Sequence, residues 1–139
     1  MSKKGNLKIF KLRHIIAIFI IIIIVIILDV ILTKYTNNKI DEINKALSKI
    51  SKMIENEEEK SGELEKLSKD TIEKWEKYGK ILEWYAEHDD VEIITSKLYL
   101  IDSQIKIKDF EEAVQTISET KIFVRFLDEK QSLSLGNIF

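Results

Sequence analysis

The chain has 139 residues, 45% of them apolar and 33% charged, with no Pro, no Cys, four Gly and a formal net charge of -2. These values exclude a disulfide framework, a collagen-like repeat and a Gly/Pro-rich disordered chain, and leave room for one small domain plus one appendage. The charge is split: residues 1–32 hold five of the 22 basic and one of the 24 acidic side chains, so the remainder carries 17 against 23, a net of -6. A body this acidic does not offer the clustered Lys and Arg that a nucleic-acid backbone requires, and nucleic acid is not an expected partner.

Every residue from Ile15 to Leu28 is apolar, and apart from Asp29 the run continues to Leu32. At 1.5 Å per residue this stretch makes a helix of roughly 27 Å, close to the ~30 Å hydrocarbon thickness of a bilayer. It has no polar face, so residues 15–32 are expected to cross a membrane rather than pack in a soluble core. Lys3, Lys4, Lys8, Lys11 and Arg13 precede the run with no acid among them, whereas Lys34 and Lys39 beyond it are offset by Asp41 and Glu42. The positive-inside rule then puts residues 1–14 in the cytoplasm and the body from residue 33 outside the cell membrane, a single pass. A secretory signal peptide has the same basic and apolar regions, but no small-residue cleavage site follows Leu28, which favours an uncleaved signal anchor. Asp29 is expected at the outer interface, where a carboxylate costs little. The alternative is a polar contact with the helix of another membrane protein.

Beyond the run, Ile40, Ile43, Leu47, Ile50 and Ile54 recur at spacings of 3, 4, 3 and 4, one apolar stripe on a polar helix. Two heptads are too few for a coiled coil, so the stripe should be buried in its own bundle rather than in a dimer seam. Asn56-Glu57-Glu58-Glu59 reads as the cap and first turn of a second helix that tolerates Gly62 and Gly79, carries Leu64, Leu67, Ile72, Trp75, Tyr78, Leu82 and Tyr85, and ends near Glu87 or His88. Asp89 with Glu92 has capping-box spacing ahead of Val91, Ile94, Leu98, Ile101 and Ile105. Asp109 with Glu112 repeats it ahead of Ala113, Val114, Ile117, Val124 and Leu127, a face extended by Phe110, Phe123 and Phe126. Short connections force antiparallel neighbours. The expected fold is all-α, an N-terminal transmembrane helix continuing into an antiparallel up-and-down bundle of three to four helices over residues 33–130, with 131–139 as a tail.

No constellation for chemistry emerges. There is no Cys nucleophile, no G-x-S-x-G, no P-loop and no G-x-G-x-x-G, and the paired carboxylates lie in first helical turns, so the chain is not expected to be an enzyme. His88-Asp89-Asp90 with Glu92 has ligand-type side chains but no second ligand pair facing it, and no metal or cofactor is expected. His14 abuts the run as an interfacial residue. Trp75, Tyr78, Leu82 and Tyr85 share a face and read as core. Trp84 falls off that face. Partial burial under the loop at 88 is the expected outcome for it, and an exposed binding anchor the alternative.

Several local sequences follow one another in a recognisable order: the basic start, the Ile-rich run, Asn56-Glu57, Trp75-Glu76-Lys77, Glu87-His88-Asp89, Lys108-Asp109 and Ser134 to Phe139. In this order the chain resembles the family known as domain of unknown function 4363, small single-pass helical proteins of clostridia. The resemblance implies a membrane-anchored protein without an assigned activity, catalytic residue or cofactor, and a polytopic membrane protein as partner. Gly136 departs from the charged residue common in the family before the final Asn-Ile.

The leading expectation is therefore a non-enzymatic interaction module on the outer face of a bacterial membrane, in contact with the lipid bilayer and docked to another membrane protein. Asp29, Trp84, Ile138 and Phe139 are the candidate contact residues. The alternative is an extracytoplasmic small-ligand-binding or sensor domain acting through a partner, since some fourteen inner residues are too few for an output domain. The oligomeric state is not legible in the sequence, nor is whether the first outward helix joins the bundle or stands off as a stalk.

Overall fold

In the computed structural model the backbone is described for residues 3–56, 62–84 and 86–136, and the side chains for 12–56, 62–84 and 86–130. These residues form four helices, α1 (Lys3–Glu55), α2 (Glu63–Leu82), α3 (His88–Lys106) and α4 (Phe110–Gly136), and no strand. The chain divides into two compact units, Met1–Tyr35 and Thr36–Phe139.

The first unit is helical where it is described, and its described apolar side chains from Leu12 to Leu32 are exposed. Seventeen large apolar residues between Leu12 and Leu32 are exposed, and its most apolar eighteen-residue window has a mean hydropathy of 3.7 with none of it buried. A soluble monomer rarely leaves an apolar patch larger than a few hundred Å² to water.

The second unit has a core of its own. Ile40, Ile43, Leu47 and Ile50 of α1 are buried, joined by Met53. From α2 come Leu64, Ile72, Trp75, Tyr78 and Leu82, from α3 all five stripe residues, and from α4 Ala113, Ile117, Val124 and Leu127. The residue pairs that bond across helices show the direction of each. Glu42 meets Lys74, and Thr36 meets Tyr78. Trp75 meets Thr95, and a Cβ at Gly79 would lie 3.3 Å from Val91. Lys97 meets Glu119, and Asp90 meets Lys130. In each series one number rises as the other falls, so the Thr36–Glu55 part of α1 and α3 run one way and α2 and α4 the other. The Lys121 ammonium reaches Ser48 Oγ at 3.0 Å and closes α4 onto α1. The body is an antiparallel up-and-down four-helix bundle, and the Thr36–Glu55 part of α1 is one of its members.

Three helix ends differ from the expectation. The second helix opens at Glu63 rather than at Asn56, because Gly62 has φ +104°, and a residue in the left-handed region cannot lie inside a right-handed helix. Asn56 instead closes α1, its N–H donating to the Lys52 carbonyl at 3.0 Å; residues 57–61 lie outside the described part. At its other end α2 stops at Leu82, where the Glu83 N–H donates to the Gly79 carbonyl and the Trp84 N–H to that of Ile81 three residues back, a tightening last turn. Tyr85 lies outside the described residues. Finally, α3 is entered from extended Glu87, without a side-chain cap, so Asp89 stands in the first turn beside Asp90. There both carboxylates still favour the positive end of the helix dipole.

The end of α3 carries no glycine signal. The Asp109 N–H donates to the Gln104 carbonyl and the Lys108 N–H to that of Ile105, the paired bonds of a Schellman motif, with Lys108 at φ +61° where glycine is usual. α4 then opens one residue after Asp109, whose carbonyl accepts the Ala113 N–H at 3.0 Å.

Glu42 ties two helices by accepting from Lys39 and from Lys74 of α2, each at 2.9 Å. These hydrogen bonds hold its carboxyl down at about 2, below the ordinary 4.5. A depressed carboxylate stabilises the fold above its unfolded pKa, and that contribution disappears as the pH falls through the folded value. Stability should therefore decline from about pH 4.5 toward pH 2 with a component that Glu42→Gln removes. All three side chains are more than a third exposed, so solvent screening limits the component to about 1 kcal/mol or less. Urea midpoints measured across that range for both proteins would check it; equal slopes would assign the acid response to other groups.

Candidate interaction surface

One end of the bundle gathers several elements. Thr36 enters it there, since its carbonyl accepts from Tyr78 Oη near the end of α2, at 3.4 Å. The α2–α3 turn is at the same end, and α4 arrives with Lys130 held between Glu87 and Asp90 at 3.2 and 2.7 Å. These two carboxylates, Asp90 first, raise the Lys130 pKa above its ordinary value. They pin α4 to the turn while keeping its cation charged.

Trp84 projects from this turn and is 89% exposed. The expectation of partial burial is thus corrected. Because α2 terminates at Leu82, the indole sits two residues past the helix, and among the described residues no bundle side chain covers it. An indole left in water forgoes the burial that Trp side chains normally find, and such residues are enriched at binding hot spots. Other described aromatics of the bundle have partners within it. Trp75 is wholly buried, its Nε1 donates to Thr95 Oγ1 at 2.8 Å, and it packs edge-on against Tyr78 at 5.6 Å between centroids. Tyr99, half-exposed on α3, donates to a carboxylate oxygen of Glu76. Phe126 is exposed on α4 but lies under the Arg125 guanidinium, 5.7 Å away.

The remaining candidates are Asp29, Ile138 and Phe139. Asp29 is half-buried within the first unit, and its carbonyl accepts from Thr33 Oγ1 at 3.0 Å. Ile138 and Phe139 lie outside the described residues. The imagined ligand set at 88–92 is dispersed: His88, Asp89 and Glu92 are exposed, while Asp90 is engaged by Lys130. Among the described residues no three His, Cys, Asp or Glu side chains converge on one point. Sequence reasoning passed over Ile107, which is 71% exposed in the turn after α3. Its place one residue before a left-handed backbone position explains why it falls off the buried stripe.

Fold and surface together define a small all-helical bundle protein with one helix long and apolar enough to cross a membrane. The chain belongs to the family described as Domain of unknown function (DUF4363), matched over residues 30–138, which includes the whole bundle. No curated protein and no solved structure matches it.

Proposed function

We propose that this chain is a membrane-anchored, non-enzymatic interaction module on the outer face of a bacterial membrane, docking to another membrane protein through the end of the bundle that carries Trp84. The observation that carries the reading is the contrast between the two units. The bundle buries its own apolar stripes, whereas none of the most apolar window of the preceding helix is buried. A helix with no protein to pack on is satisfied by lipid. The positive-inside rule orients it with residues 1–14 in the cytoplasm.

Covalent connectivity supports Trp84 as the contact. Thr36 is only four residues past Leu32, the last residue of the apolar run, and Thr36 enters the bundle at the same end as the Trp84 turn. An anchor indole typically contributes about 2 kcal/mol or more when it fills a partner's pocket. Mild crosslinking in cells followed by affinity purification should recover a polytopic membrane protein, and Trp84→Ala should weaken that recovery at least about tenfold. Undiminished recovery with Trp84→Ala would move the contact elsewhere. Protease applied to intact cells should remove the bundle and spare a short anchored stub, and protection of the bundle would reverse the topology.

A further inference from the structure

We propose that the groove between the Thr36–Glu55 part of α1 and α4 is a binding site for a phosphate-bearing anion, separate from the Trp84 surface. It has a volume of about 550 Å³, inside the ~300–1,000 Å³ range of small-ligand sites, and four of its seven lining residues are lysines. Lys45, Lys49 and Lys52 are spaced 4 and 3 apart on α1, so they share one face, and Lys121 comes from α4. The single acid in the lining is Asp41, which Lys45 engages at 2.5 Å. The groove therefore carries a net charge of +3 in a body whose net charge is -6.

The other cross-helix lysines of this bundle show what is unusual here. Lys74, Lys97 and Lys130 each meet a carboxylate on a neighbouring helix. Among the described residues no acid pairs with Lys49, Lys52 or Lys121. Lys121, half-buried, instead donates to Ser48 Oγ on the groove wall. Lys45, Lys49 and Lys52 are exposed and Lys121 half-buried, and cations lining one groove with no acid partner for three of them among the described residues repel one another, a repulsion that a bound anion relieves. The donor set selects the anion. Ammonium groups are compact point charges with rotatable donors, suited to tetrahedral phosphoryl oxygens, and the lining lacks the planar guanidinium fork that recognises carboxylates in two-point fashion. Four lysines are too few to track a nucleic-acid backbone, so the ligand is a compact phosphate group, either free in solution or on a lipid headgroup.

The full-length chain in neutral detergent, titrated with pyrophosphate, should bind saturably, with an affinity that falls as salt is raised. Its melting temperature should rise on binding, since the anion stabilises only the folded form. Lys49→Gln combined with Lys52→Gln should weaken pyrophosphate binding at least about tenfold while keeping a cooperative melt within a few degrees of the parent, because both side chains are exposed and only the last-turn Lys52 gives up a favourable helix-dipole interaction. Lys77→Gln combined with Lys80→Gln, on the exposed face of α2, should bind as the parent does. In vesicles, a higher melting temperature for the parent, but not the groove variant, when phosphatidylglycerol is added to phosphatidylcholine assigns the ligand to a headgroup. A rise with pyrophosphate alone assigns it to a soluble anion. Absence of saturable binding up to about 10 mM, together with no vesicle effect, would overturn the site, as would equal binding by the groove variant.

Discussion

Trp75→Ala should destabilise the bundle by about 3–5 kcal/mol, the range for removing a wholly buried large aromatic without refilling its space. The side chain is completely inaccessible, stands edge-on against Tyr78, and donates from its indole nitrogen to Thr95 Oγ1. Thr95 passes the bond on by donating to the Val91 carbonyl at 2.7 Å, so one residue links the face of α2 to the backbone of α3. A domain of about 100 residues has roughly 5–15 kcal/mol of total stability, so the variant should lose a large share of it. Trp75→Phe separates the contributions: it keeps most of the apolar bulk and loses the donor, for which about 1 kcal/mol is expected. Urea unfolding followed by circular dichroism measures both. A loss below about 1.5 kcal/mol for Trp75→Ala would mean that the space it leaves collapses easily and that the core is not organised around the indole.

The second large effect concerns the anchor. Ile20→Lys together with Ile24→Lys puts two charges near the middle of the apolar run, each costing about 2.5–3.5 kcal/mol on the insertion scale, roughly 5–7 kcal/mol in all. The parent should remain with membranes after carbonate extraction, and the double variant should be lost from them. Helical content and cooperative melting of the body should survive, because Thr36–Phe139 is a separate compact unit with its own core. A parent that is already freely soluble would end the anchoring proposal, whereas a variant that loses the bundle as well would show that the body depends on its anchor.

Most of the fold was legible because helical periodicity is a local property. The five-residue stripe of α3 is buried in full, and so are Ala113, Ile117, Val124 and Leu127 of the α4 face, whereas Val114 is half-buried and Phe126 exposed. The helix starts were less legible. Gly62 and Asp89 each fit two local roles, and the choice between them depended on backbone φ at Gly62 and on the extended backbone of Glu87, which starts α3 one residue before Asp89. The end of α3 gave no warning, since Lys108 takes a left-handed conformation that its residue type does not announce. The groove was half legible. Lys45, Lys49 and Lys52 are visibly on one face, but Lys121 joins them from some seventy residues away.

By itself the order of residues determined an all-helical chain, a lipid-compatible run near its start and a bundle of three to four amphipathic helices joined by short turns, because each of these follows from spacing and composition within one or two turns of helix. Only the tertiary structure decided that the Thr36–Glu55 part of α1 packs as a full member of the bundle, that Trp84 is left exposed while Trp75 is sealed inside, and that lysines from α1 and α4 share a groove. Those outcomes depend on which helix faces meet, and that is settled by packing between residues far apart in the chain rather than by any local pattern.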